Sequence, residues 1–194
     1  MLNGAEIARG VQGALGFLKR DPAAPLAFAN TKEACLRSFR VMALVAPLYV
    51  IDALIRYADV DAQVDTIDIV VVEAISYIVN WLLFPVLFYE IARRRGWLDR
   101  YPRYIGALNW INLPATVIAV AGILIGIVTP VAVARLIEIA IQALVFYWFL
   151  MTTRMVLGLN WLMAALLLII NWVPSLFLSL LVARFLGVVS VSAG

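Results

Sequence analysis

Long apolar stretches alternate with short polar segments along most of this chain. A helix needs about 20 mainly apolar residues to cross the hydrocarbon core of a bilayer, and five stretches reach that length. These predicted spans lie near residues 36–55, 67–91, 106–128, 137–157 and 161–182. The pattern predicts an all-α fold, a polytopic integral membrane bundle of about five transmembrane helices.

Two of these spans lie inside uncharged stretches that exceed one span in length, residues 105–134 and 155–183. A bundle of four spans with one re-entrant segment is therefore an alternative to five. Gly158 or Asn160 is predicted to mark the turn between the last two spans. Pro47 is expected to kink the first span. Three later spans also contain a proline: Pro85, Pro114 and Pro174.

The first 30 residues are predicted to form a cytoplasmic segment, followed by a transmembrane domain over residues 31–194. Apolar residues recur in this segment at helical spacing, which predicts a short amphipathic helix. The helix either lies on the membrane surface or packs its apolar stripe on the protein's own loops. Asn30 followed by Glu33 resembles a capping box at the start of the first span. The stripe consists of Ile7, Val11, Leu15 and Leu18, with Ala14 and Phe17 beside them.

Composition supports a membrane protein. Of the 194 residues, 65% are hydrophobic and 14% are charged, whereas soluble domains carry about 45–50% apolar and about 25% charged residues. The chain has one cysteine, Cys35, and no histidine. A disulfide within the chain, a histidine-ligated metal and histidine acid–base catalysis are thus excluded. No phosphate-binding loop or hydrolase motif is present, so we expect a non-enzymatic protein without cofactor, metal or catalytic residue.

Basic residues predict the orientation, because cytoplasmic loops are enriched in lysine and arginine. With the N-terminus inside, only Arg56, Arg135 and Arg184 of the 15 basic residues face the other side. Asp59, Asp61 and Asp65 make the first external loop acidic. We therefore predict a multi-pass protein of the cell inner membrane, with a cytoplasmic N-terminus and an external C-terminus. The cytoplasmic basic residues are Arg9, Lys19, Arg20, Lys32, Arg37, Arg40, Arg93, Arg94, Arg95, Arg100, Arg103 and Arg154.

Polar side chains inside the spans are the candidate functional residues, since they are costly in lipid. Glu73 has no basic residue within four positions, and Asn80 follows seven residues later on nearly the same helix face. Gln142 lies at a comparable depth, and Arg135 is a candidate partner for Glu73. These four residues predict either a polar seam that carries protons or interhelical hydrogen bonds that fix the packing.

Two further features point to contacts with other molecules or helices. Gly122 and Gly126 form a GxxxG motif, which predicts close helix packing within the chain or between chains. The loop between the second and third spans is rich in arginine and is either a contact for anionic lipid headgroups or an ordinary cytoplasmic stop signal. Its basic residues are Arg93, Arg94, Arg95, Arg100 and Arg103.

Four stretches carry a resemblance to known proteins. They read GFLKRDPAAPLAF at 16–28, RSFRVMALVAPLY at 37–49, RYIGALNWINLP at 103–114 and YWFLMTTRMVLGLNWLMAALLL at 147–168. Together they resemble small alphaproteobacterial inner-membrane proteins, and the layout is similar to the Yip1 superfamily. That resemblance implies a cytoplasmic N-terminal segment and five spans. Eukaryotic Yip1 proteins are implicated in vesicle traffic with small GTPases, but the resemblance implies no catalytic residue here.

Two functions are consistent with these features. The first is a scaffold, assembly factor or accessory subunit that acts through helix–helix contacts, because the loops are too short for a soluble domain. The alternative is a small transporter or channel component, with Glu73 as the candidate proton-coupling group. The expected partners are membrane lipids and other membrane-protein subunits or further copies of the chain, and no nucleic acid is expected.

Overall fold

The computed structural model describes residues 2–58 and 65–187, and these two segments contain helices and no strand. The predicted all-α fold is confirmed. A short 3₁₀ turn over Ala24–Ala27 follows the first helix. The α-helices are α1 (Gly4–Leu18), α2 (Lys32–Ser38), α3 (Val41–Tyr57), α4 (Thr66–Arg95), α5 (Tyr101–Ile127), α6 (Val131–Leu157) and α7 (Trp161–Phe185).

Five helical segments are long and apolar enough to cross a membrane. One is the continuous run Lys32–Tyr57, which contains α2 and α3, and the others are α4, α5, α6 and α7. Many large apolar side chains point away from the bundle, as lipid-facing residues do. The structure thus supports five spans rather than four, in a multi-pass membrane protein.

The helix that leads into the first span begins one residue later than the predicted cap at Asn30 implies. Thr31, not Asn30, caps it, because the Thr31 hydroxyl accepts a hydrogen bond of 3.2 Å from the amide of Ala34. Asn30 instead donates to the carbonyl of Asp99 at 2.6 Å and accepts from the amide of Arg103 at 3.1 Å. The capping-box prediction at Asn30 was wrong, since this side chain joins the N-terminal segment to the loop before α5.

The predicted N-terminal helix is present, and the protein itself covers its apolar face. A capping box formed by Asn3 and Glu6 starts α1, and the backbone hydrogen bond from Asn3 lowers the pKa of Glu6. Ala14 and Phe17 are fully buried. The covering elements are the spans α5 and α6 and the 3₁₀ turn. α1 therefore packs on the protein, against spans rather than loops, while Ile7, Val11, Leu15 and Leu18 are half-buried. Contact of this stripe with the membrane surface stays a prediction.

The centre of the bundle is α5, which packs against α1, α2, α3 and α6. The last span, α7, packs against α4 and α6. Gly158 ends α6 with φ of 68°, a left-handed conformation that suits glycine, and Asn160 caps α7 by accepting from the amide of Met163. Both residues named for this turn therefore form it. Asp59, Asp61 and residues 188–194 lie outside the described residues.

Candidate intramembrane site

A cavity of about 400 Å³ lies between α3, α4, α5, α6 and α7. Its polar lining comes from near the middle of the helices: Asn80 is halfway along α4, and Asn171 is close to the midpoint of α7. We call this space the midplane cavity. Five side-chain amides line it, namely Asn80, Asn109, Asn112, Gln142 and Asn171.

The hydrogen bonds of the amides differ. Asn109 is buried and donates to the Ser38 hydroxyl at 2.9 Å, so this residue fixes α5 against α2. The oxygen Oδ1 of Asn80 is buried and finds no hydrogen-bond partner among the described residues. A buried acceptor without a donor costs about 1–3 kcal/mol. This oxygen is shielded by protein atoms, so a water or a bound molecule can satisfy it only if the Asn80 side chain turns toward the cavity.

The remaining walls are aromatic and aliphatic. Trp172 lies edge-on to Phe146, with ring centroids 5.6 Å apart, and Tyr77 lies edge-on to Trp81. None of the lining residues in the described part of the chain carries a charge. An apolar wall with a few placed polar groups is the usual composition of a small-molecule site. The aromatic lining consists of Tyr49, Tyr77, Trp81, Phe84, Phe146, Phe149 and Trp172.

A buried carboxylate lies beside the cavity, about two turns into α4. Glu73 is 6% exposed, and three groups from α3 approach it. The hydroxyl of Tyr49 donates to its Oε2, the hydroxyl of Tyr57 donates to its Oε1 at 2.6 Å, and Nη1 of Arg56 lies 3.2 Å from the same Oε1. Arg56 also pairs with Asp52 one turn earlier. These five residues form the Glu73 cluster.

Tyr49 joins the two polar features. Its ring lines the midplane cavity, while its hydroxyl binds the Glu73 carboxylate. The rings of Tyr49 and Tyr77 are 4.6 Å apart, and the Tyr77 hydroxyl donates to the carbonyl of Met42 at 2.6 Å. The carboxylate and the cavity are thus one side chain apart. A polar connection of this kind is suited to moving a proton or to sensing an occupied cavity.

The structure brings together some of the predicted polar residues and separates others. Asn80 and Gln142 line the same cavity, and Glu73 reaches that cavity through Tyr49. The prediction that Arg135 pairs with Glu73 was wrong. Arg135 lies near the start of α6 and approaches Glu138 at 3.9 Å, with both side chains exposed. Arg56 takes the predicted place beside Glu73, because its long side chain reaches the carboxylate from α3.

The GxxxG motif packs within the chain. Gly122 is buried, and a Cβ placed on it would lie 2.2 Å from Cδ1 of Ile141 on α6. A Cβ on Gly126 would make an ordinary contact of 3.5 Å with Ala134. Gly122 is therefore the position that lets α5 and α6 approach closely.

The predicted lipid-binding arginines divide into two groups. Arg100 donates to the carbonyl of Leu157 at 2.6 Å, and Arg103 donates to the carbonyl of Phe28 at 3.0 Å, so both hold loops in place. Arg93 and Arg94 pair with Glu90 at the end of α4 and are largely exposed. Arg95 is also exposed. Contact of these five arginines with anionic headgroups stays a prediction, and arginines 93–95 are the consecutive exposed ones.

Several residues of the site were not among those predicted from the sequence. Tyr49 and Tyr57 look like ordinary aromatic residues of a span, although their hydroxyls serve Glu73. Asn112 and Asn171 are single amides inside apolar runs, like Asn80. Since amides are costly in lipid, every one of them could have been included in the predicted seam.

No protein-family model, curated protein or solved structure matches this chain. The functional proposal therefore rests on the midplane cavity, the Glu73 cluster and the topology.

Proposed function

We propose that the protein is a small transporter or channel component that holds its solute in the midplane cavity. The observation that carries this proposal is an amide-lined space of about 400 Å³ near the middle of five spans. Its volume falls within the range of about 300–1,000 Å³ typical of small-molecule sites. Transporter sites commonly lie at this depth, where several helices meet. No catalytic step belongs to the proposal.

We propose further that Glu73 is the proton-coupling group. Its carboxyl group lies beside Arg56 and accepts from two tyrosine hydroxyls. Protonation of the carboxyl removes its attraction to Arg56 and weakens its hold on the Tyr49 hydroxyl. Tyr49 then becomes free to turn toward the solute. This links the charge state of the carboxyl to the wall of the cavity.

The orientation with a cytoplasmic N-terminus in an inner membrane is part of the same proposal. It is supported by the common location of the basic residues. Arg20 donates to the Tyr147 hydroxyl at 2.7 Å, and Arg103 reaches Phe28. The N-terminal segment therefore shares one end of the bundle with the α4–α5 loop and with the last turns of α6, where most of the arginines lie.

Proton flux into liposomes tests the role of Glu73. The full chain is reconstituted with a trapped pH-sensitive dye, and a potassium diffusion potential drives protons inward. We expect a flux above that of protein-free liposomes, which falls to the protein-free rate in Glu73→Gln. Glu138→Gln, an exposed carboxylate on α6, is the matched control and should keep the wild-type flux. Equal flux in wild type and Glu73→Gln would overturn the coupling role.

A scaffold or accessory subunit is the second candidate. The observation in its favour is the outer face of α7, where large apolar side chains are exposed and available to a partner helix. Purification in a mild detergent, followed by native mass spectrometry, tests it: a stoichiometric partner or oligomer supports this candidate, and a lone monomer counts against it. The exposed residues include Ile169, Val173, Phe177 and Leu180. Membership of a Yip1-like family stays a prediction.

A further inference from the structure

The polar groups of the midplane cavity are all neutral. They are amides and hydroxyls, and the described residues of the lining include no acid or base. A charged solute would lose its hydration in this space and meet no opposite charge. The nearest carboxylate, Glu73, already accepts from Tyr49, Arg56 and Tyr57. The electrostatics of the cavity therefore favour an uncharged occupant.

The hydrogen-bonding capacity of the cavity is mixed. A side-chain amide offers both a carbonyl acceptor and an NH₂ donor. The Oδ1 of Asn80 is the buried acceptor that has no partner among the described residues. By contrast, Asn109 already donates to Ser38, and the Ser175 hydroxyl already donates to the main-chain carbonyl of Asn171 at 3.1 Å. An occupant with an N–H or O–H donor would satisfy the shielded oxygen of Asn80 if this side chain turned toward the space.

The aromatic walls define the rest of the occupant. Trp81, Phe84 and Phe149 line the space and are almost fully buried, and Phe146 and Trp172 also line it. Aromatic side chains gain from edge or face contacts with a flat apolar group. A hydrated polyol would leave these walls in contact with water. A flat apolar body with a polar end satisfies both parts of the lining.

We propose that the midplane cavity binds small, neutral, amide-bearing solutes with a flat apolar body, and that the Asn80 side chain turns to accept a hydrogen bond from the solute's N–H group. This inference rests on the proposed function, because it names the solute class of the same cavity. Gln142 lies in the same lining, on α6. A solute that bonds both amides would join α4 to α6 across the cavity.

Three compounds of nearly identical shape separate the effect of charge from that of size. Benzamide is neutral, benzoate is an anion and benzamidinium is a cation at neutral pH. Binding of each radiolabelled compound is measured by equilibrium dialysis with the full chain in phosphatidylcholine nanodiscs, and empty nanodiscs correct for partitioning into lipid. We expect saturable binding of benzamide and at least about tenfold weaker binding of both ions. Preferential binding of either ion, or no saturable binding of benzamide, would overturn the solute class.

The role of Asn80 is tested with Asn80→Leu, which keeps the side-chain size and removes the acceptor. We expect benzamide to bind at least about fivefold more weakly, as loss of one hydrogen bond predicts. Ser179→Ala is the matched control, since Ser179 bonds within α7 and lies outside the lining. Circular dichroism and size-exclusion profiles establish that each variant is folded. If Asn80→Leu does not fold, Asn80→Ala, which also removes the acceptor, replaces it with the same expected weakening.

Unchanged binding in the folded variant removes the assigned role of Asn80. The binding measurement tests the solute class, and the flux measurement tests the proposed function, so either proposal can be rejected without the other. Proton flux that depends on Glu73 without benzamide binding leaves the proposed function in place and rejects only the solute class. Benzamide binding without any flux difference between wild type and Glu73→Gln rejects proton coupling and keeps the ligand site.

Discussion

The indole nitrogen of Trp148 donates a hydrogen bond of 2.7 Å to the carbonyl oxygen of Ala14. Both residues are fully buried, although they lie in α6 and α1. This bond fastens the N-terminal helix to the membrane-spanning bundle. It also explains why α1 keeps its apolar face on the protein, since the bonded carbonyl belongs to that face.

Trp148→Phe should weaken the attachment of α1 to the bundle. The change removes one buried hydrogen bond and part of a buried ring, so we expect the free energy of unfolding to fall by about 1–3 kcal/mol. Relative to the unsubstituted protein, the rate of hydrogen–deuterium exchange should increase more in α1 than in α7. Trp172→Phe is the control, because Trp172 is 43% exposed. Unchanged exchange in α1 would mean that this hydrogen bond does not help to hold α1 against the bundle.

Gly10 should be intolerant of any side chain. A Cβ on this residue would lie 2.3 Å from ring atoms of Trp110, whereas a Cβ on Gly4 would meet no atom within 4 Å. Gly10→Ala is thus expected to destabilise the protein by about 1–3 kcal/mol through overpacking, and Gly4→Ala to change stability by less than about 0.5 kcal/mol. Denaturant unfolding in mixed micelles measures both. Similar values for the two variants would contradict the close approach of α1 to α5.

Much of the fold was predictable because lipid imposes a simple constraint. A span must be about 20 mainly apolar residues long, so the five spans could be predicted from the sequence. The turn between α6 and α7 at Gly158 could be predicted as well. The exact helix ends did not, since they depend on caps. Asn30 and Thr31 both suit the start of α2, and only tertiary contacts with Asp99 and Arg103 decide between them.

The candidate site was only partly predictable. Glu73, Asn80 and Gln142 attract notice because a polar group inside a span is costly. Their partners depend on which helices are neighbours, and hydrophobic patterns in a bundle surrounded by lipid say little about that. Arg135 was therefore paired with Glu73 by depth alone, while the true partner, Arg56, comes from α3.

The buried carboxylate should matter far more to stability than an exposed one. Glu73→Ala removes three interactions with α3 and leaves Arg56 without this partner, so we expect a loss of at least about 2 kcal/mol. Glu138→Ala should cost less than about 0.5 kcal/mol, because its pairing with Arg135 is exposed to solvent. Equilibrium unfolding in mixed micelles measures both values. Equal losses would show that the Glu73 cluster does not hold α3 to α4.

Gly122 and Ile141 should be energetically coupled. Gly122→Ala places a methyl group where Cδ1 of Ile141 now lies, and we expect a cost of about 1–3 kcal/mol. Ile141→Val removes that atom, so the double variant should be more stable than the sum of the single changes predicts, by at least about 0.5 kcal/mol. Gly126→Ala, with its ordinary contact to Ala134, serves as the control. If the changes in the free energy of unfolding are additive, Gly122 and Ile141 are not coupled across the contact between α5 and α6.

The orientation can be read with single cysteines, because Cys35 is the one natural cysteine and is buried. In a Cys35→Ala background, Asp99→Cys marks the α4–α5 loop and Thr129→Cys marks the α5–α6 turn. The excess of basic residues at the Asp99 end predicts that this end is cytoplasmic. A membrane-impermeant maleimide should therefore label Thr129→Cys in sealed right-side-out vesicles and label Asp99→Cys only after permeabilisation. The reverse pattern would show that the orientation is opposite to the predicted one. Labelling of both positions in sealed vesicles would mean that α5 does not cross the membrane.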